Sequence, residues 1–177
     1  MACSITLSGI ERDCEPNAGG IKRVLIAPYA DVASWAIDAD SGLIDTITME
    51  TGKYFYEYYQ RYGVANYSGA PAFNEDGDYV GEDGTLTLVF ARMSVEKRTE
   101  VEALSAQDLV VIFQDGNGNW WYLGADNPVN RNGGDTATGT AQTDRNGYTV
   151  QLHSADKGSP LPVDEDALST IIYVPSE

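Results

Sequence analysis

Apolar side chains in this chain return at every second position in segment after segment. In "GTLTLVFARM", Leu86, Leu88 and Phe90 alternate with Thr85, Thr87 and Val89; "LIDTITME" and "YTVQLHSAD" alternate in the same way. A period of two sorts side chains onto the two faces of an extended strand, so the chain is constrained to β-structure. The run "VLIA" at residues 24–27, opened by a Gly pair and stopped by Pro28, reads as a buried strand. "LVVIFQD-GNG-NWWYLGAD" reads as a hairpin turned at Gly116 and Gly118, and "STIIYV" as a last strand. "ADVASWAIDADSG" is ambiguous, and "NPVNRNGGDTATGTAQTDRNG" is a polar loop. The exception is "SVEKRTEVEALSAQD", where Ser94 supplies a cap, Glu96 suits the first turn, and Val101 and Leu104 form an inward stripe. That spacing predicts a helix over about residues 95–107.

The densest use of the β period is "KYFYEYYQRY", residues 53–62, with six aromatics in ten positions. Tyr54, Tyr56, Tyr58 and Tyr62 share one parity; Phe55, Glu57, Tyr59 and Arg61 share the other. This predicts a long strand with an apolar face and a mixed face. Its partner is "GTLTLVFARM", giving a long hairpin over about residues 53–93. Between the two lies "SGAPAFNEDGDYVGEDG", a Gly-rich acidic excursion of the length that is usually functional or disordered. Strands, one helix and further strands define a mainly β fold: an antiparallel β-sandwich or open barrel with one packed α-helix and a long β-hairpin. With no repeat or linker, residues 1–177 form a single domain with an N-terminal arm at 1–20.

Charge narrows the partners. Eleven basic and 27 acidic side chains leave −16, a field that repels phosphate backbones. No apolar stretch reaches about 18 residues, so no membrane-spanning helix is expected, and "MACSITLSGIERDCEP" lacks the build of a signal peptide, which points to maturation in the cytosol. Cys3 and Cys14 have no companion ligands for zinc and are expected as free thiols.

Catalytic chemistry is hard to place. The sole histidine, His153, sits on an alternating strand and reads as a surface or satisfied residue. "DGNGNW" imitates a calcium loop through Asp115, Asn117, Asn119 and Asp126, but Trp120 stands where the turn glycine belongs, so a tight hairpin is expected. Glu75, Asp76, Asp78, Glu82 and Asp83 are a solvated acidic tip before they are a cation site. Acidic residues are too many for a glycosidase pair to be singled out. No catalytic residue, metal site or cofactor is therefore assigned. A structural subunit, a carbohydrate-binding sandwich using Tyr59, Trp120 and Trp121, and an enzyme remain as classes.

The segments "MACSITLSGIERDCEPNAGGIKRVLIAPYADV", "LTLVFARMSVEKRTEVEALSAQDLVVIFQDGNGNWWYLGADN" and "TGTAQTDRNGYTVQL", in that order, resemble tail tube proteins of tailed bacteriophages. The similarity is to small tube or tail-associated proteins from phages of Bacteroides-type hosts, over roughly residues 1–155. The resemblance implies a virion protein, assembled in the bacterial cytoplasm, whose hexameric rings stack into a tube that conducts DNA during ejection. It implies no enzymatic activity, no cofactor, and as partners its own copies and other tail proteins. It places Tyr54, Tyr56, Tyr58 and Tyr62 against the subunit's core, and Glu57, Tyr59 and Arg61 toward the lumen or a neighbour. The tip, with Phe73 and Tyr79 as anchors among Glu75, Asp76, Asp78, Glu82 and Asp83, becomes a ring-stacking loop. A head–tail connector ring or head-decoration protein is the alternative.

Overall fold

The computed structural model describes residues 9–10 and 14–175. Cys3 and much of the N-terminal arm fall outside them, and Cys14 is an exposed free thiol. In chain order the strands are β1 (Ile21–Pro28), β2 (Val32–Ile37), β3 (Ile44–Met49), β4 (Tyr56–Glu57), β5 (Asn66–Phe73) and β6 (Tyr79–Ala91). The helix α1 (Val95–Ala106) follows, then β7 (Leu109–Asp115), β8 (Trp120–Leu123), β9 (Asn130–Ala137), β10 (Gly147–Asp156) and β11 (Leu161–Val163). The protein is mainly β, with a seven-stranded sheet ordered β2-β3-β11-β8-β7-β1-β4 and a four-stranded sheet ordered β5-β6-β10-β9. All pairings are antiparallel except β3 with β11.

The apolar runs explain the layering. Val24 and Ile26 of β1, with Val111 and Phe113 of β7, face Leu86, Leu88, Val150 and Leu152 of the smaller sheet. Their neighbours Leu25, Ala27, Val110 and Ile112 point the other way, into a second core with Ile44, Tyr122, Val163 and Leu168. The centre of the larger sheet is thus buried on both faces, which is why its strands read as continuous apolar runs. The predicted helix forms as expected. The Ser94 hydroxyl accepts from the Lys97 amide at 3.2 Å, and Val101 and Leu104 bury against the first core.

Turns follow their sequence signals. The Asp115 carboxylate accepts from the backbone amides of Asn117, Gly118 and Asn119 and from the Trp121 indole. That is the hairpin expected of "DGNGNW". Asp126, the other end of the calcium-like pattern, pairs instead with Lys157 at 3.0 Å. Gly116 is required here: a Cβ would stand 2.3 Å from the Ala18 carbonyl oxygen, where the arm crosses the turn and Asn117 binds both Asn17 and Ala18.

Four expectations are corrected. The aromatic run is not a long strand: only Tyr56–Glu57 pairs, with β1, so the hairpin is β5–β6, from 66 to 91, and excludes residues 53–65. Neither parity is an inward face: Phe55, expected on the mixed face, is fully buried in the second core, while Tyr54, Tyr56 and Tyr62 are exposed, Tyr58 is half-buried, and Glu57, Tyr59 and Arg61 are exposed as well. Turning four tyrosines inward would require a partner for each hydroxyl, whereas phenylalanine asks for none. "NRNGGDTA" is strand β9 and not loop, because an outer strand needs only its backbone paired; Gly134, at φ +117, has no room for a Cβ beside Thr149. "STIIYV" contributes a single bridge, Ile172 to Phe55, after a 3-10 turn at Glu165–Leu168.

The inward place of Phe55 has a direct test. Replacing Phe55 with Ala should lower the unfolding free energy by about 3–5 kcal/mol. Tyr62, on the other parity and 69% exposed, should tolerate Ala within about 0.5 kcal/mol. Denaturant unfolding of the two variants distinguishes the faces.

Candidate assembly surfaces

The aromatic segment leaves β4, and Tyr58 donates its amide to the Val24 carbonyl at 2.8 Å. Gln60 then turns inward. β5 does not pair with β6 beyond Thr87, and Gln60 Oε1 takes the next free donor on that edge, the Val89 amide, at 2.9 Å. Gln60 is 2% exposed. A side-chain amide thus stands in for a missing strand partner at this edge, with its own Nε2 left without a partner among the described residues.

Between this segment, the last residues of β6 and α1 runs a groove of about 890 Å³. Ile26, Phe90, Val101 and Leu104 provide its apolar lining. All three residues of the predicted mixed face, Glu57, Tyr59 and Arg61, line it too. Tyr58 packs against Phe90 with ring centroids 6.1 Å apart and donates its hydroxyl to Glu100 of α1 at 3.0 Å. Burial, reinforced by the Glu100 carboxylate, pushes the Tyr58 hydroxyl's pKa far up, so it remains a donor at all ordinary pH. Lys97 reaches the Ala91 carbonyl oxygen from the helix. Outside the groove, Tyr173 packs against Tyr54 and Tyr56 at 6.0 and 5.3 Å, extending the aromatic surface.

Glu57 is engaged by Arg23, whose Nε and Nη2 donate to its two carboxylate oxygens at 2.7 and 3.0 Å. The guanidinium also lies over the Trp120 ring, 5.2 Å from its centroid. This pairing offsets the charge that Glu57 presents.

The acidic excursion divides in two. Residues 74–78 make a closed turn: Asn74 Oδ1 accepts from the amides of Asp76 and Asp78, and the backbones of Asn74 and Asp78 pair at 3.0 Å. Glu75, Asp76 and Asp78 sit on this turn, flanked by Phe73 and Tyr79 in edge contact at 6.1 Å. Glu82 and Asp83 are not at the tip. They lie within β6, opposite Asp156 and Ala155 of β10. Glu82 accepts from the hydroxyls of Tyr67 and Ser159, and Asp83 contacts His153. The expectation of a long unstructured tip is therefore corrected: a tight turn closes a paired ribbon. The sequence signal was "NEDGD", an Asx turn with Gly at its fourth position.

The groove's α1 wall could not be read from the sequence, because Tyr58 and Glu100 stand 42 positions apart. No cluster of His, Cys, Asp and Glu suited to a metal ion occurs among the described residues, and no helix among them is long and apolar enough to cross a membrane. No protein-family model and no curated protein matches the chain.

The Arg23 guanidinium, opposed by some burial, holds the Glu57 carboxyl below its ordinary pKa. A depressed folded value means stability that is present above the usual glutamate range and lost as pH falls through the folded value. Both side chains are more than a third exposed, at 39% and 38%, so screening limits the effect to less than about 1 kcal/mol. Glu57→Gln should be destabilised by that amount at pH 7 and converge on the parent as the pH falls through the depressed folded value, where the glutamate takes up its proton. Urea midpoints across that range check both ends.

Proposed function

We propose that this chain is a structural subunit that assembles with its own copies into rings, and that the rings stack as the tail tube of a tailed bacteriophage. The observation that carries the reading is the aromatic surface offered at both ends of one long hairpin strand, with no catalytic role suggested for either end. Phe73, Tyr79 and Val80 are 60%, 52% and 52% exposed at the tip, and Tyr59 and Tyr62 are 82% and 69% exposed near the other end. Apolar groups left open together mark surfaces that a partner covers. The sandwich with one packed helix and a projecting hairpin is the fold that the resemblance to tube proteins implies.

Charge supports the same use. At −16 per chain, a ring of subunits carries a large field of one sign, and a bore lined by it lets DNA slide without sticking. In this reading the protein is not an enzyme, needs no cofactor, and sits in the virion tail beside other tail proteins. Glu57, Tyr59 and Arg61 belong to a joint between subunits.

Purified protein should form rings or tubes in negative-stain images without any added ligand. Rings that never stack would move the protein to a connector role. Monomers in sedimentation at every concentration and salt would overturn the assembly reading.

A further inference from the structure

The tip and the groove lie at opposite ends of β6, which begins at Tyr79 beside the turn and ends at Ala91 in the groove wall. Its 13 residues span about 40 Å of extended chain. β5 is paired along the ribbon up to Phe73, so the tip is held away from its own groove. Only another molecule can bring the two together.

They are complementary. The tip displays an apolar pair, Phe73 and Tyr79, and three carboxylates, Glu75, Asp76 and Asp78. None of the three is paired with a cation among the described residues. The groove offers apolar floor at Phe90 and Leu104 and two cations, Arg61 and Lys97, which have no carboxylate partner among the described residues. Of its own acids, Glu57 is paired with Arg23, and Glu100 accepts from the Tyr58 hydroxyl and keeps its charge. Lys97 holds the Ala91 carbonyl oxygen, which leaves its charge, like that of Arg61, unneutralised by a carboxylate among the described residues.

Resting on the assembly reading above, we infer that the β5–β6 tip of one subunit docks in the groove of a second copy. Phe73 and Tyr79 cover the apolar floor, and the tip carboxylates meet Lys97 and Arg61 at the rim. Such a contact joins two different surfaces, so it is head-to-tail. It closes into a ring or extends as a filament according to the rotation between copies.

The test mixes isotope-labelled and unlabelled full-length chains and treats them with a carbodiimide, which joins carboxylates to amines in contact. Mass spectrometry should find Glu75, Asp76 or Asp78 of one chain linked to Lys97 of another. A tip variant (Phe73→Ser with Tyr79→Ser) and a groove variant (Arg61→Glu with Lys97→Glu) should each associate about tenfold more weakly or worse. Circular dichroism should match the parent for both. An equimolar mixture keeps one intact contact, between the groove of the first and the tip of the second, and should give 1:1 dimers and nothing longer. Assembly of the parent with no such cross-link, or of both variants like the parent, overturns the docking and leaves the assembly reading standing. Cross-linked pairs that never become rings or tubes uphold the docking and overturn the tube. Monomers without cross-links overturn both.

Discussion

The two-sided burial of β1 and β7 is the constraint on which the remaining structure depends. Alternate residues of these strands feed two separate cores: Val24, Ile26, Val111 and Phe113 one, Leu25, Ala27, Val110 and Ile112 the other. Backbone groups at that depth have no water, so the ladder between the strands must be complete. Pleat alone cannot fix its register. Where one face is polar, a slip of one residue exposes apolar side chains; here both faces are apolar and the penalty is weaker. The strand end is held instead by the β7–β8 turn, which Asp115 clamps shut and whose Asn117 Oδ1 accepts from the Ala18 amide just ahead of β1 at 2.7 Å.

Covering both faces decides what is left outside. The smaller sheet and α1 close the first core. The second is closed by the β2–β3 hairpin, the chain after β11 and the single inward ring of Phe55. Phe55 takes the Ile171 carbonyl and gives its own to Tyr173, each at 2.8 Å. With the β4 pairing to β1 and the Gln60 bond to Val89, that tether fixes the backbone of the aromatic segment and leaves Tyr54, Tyr56, Tyr59 and Tyr62 exposed. The apolar groups without an internal place collect at the hairpin tip and along the groove, the two ends of β6. In the proposed assembly these two ends serve as a knob and its seat.

Local chemistry with few solutions was legible in the sequence. Ser94 ahead of "VEKR" caps a helix, Asp-Gly-Asn-Gly turns a hairpin, and the alternation of Leu86, Leu88 and Phe90 is a strand with one buried face. The mainly β sandwich follows from these. The aromatic run was misread because its period of two does not carry through as a strand: only Tyr56–Glu57 is extended in a ladder, and the buried Phe55 and Gln60 come from opposite parities. Hydroxyls could have decided it, since only Phe55 in that segment buries its ring at no polar cost.

The sequence by itself determined the β class, the helix and its cap, the tight turn at Asp115, the acidic balance and the residue types available for contact. Tertiary structure alone decided which of them meet. It set Tyr58 on Glu100, Glu57 on Arg23 and Gln60 on the Val89 amide, over separations of 42, 34 and 29 positions. It also removed Glu82 and Asp83 from the tip by pairing β6 with β10. The physical reason is range. Caps, turns and alternation act within a few residues, whereas a groove exists only where distant elements are packed around two cores and their leftover surfaces come to lie side by side.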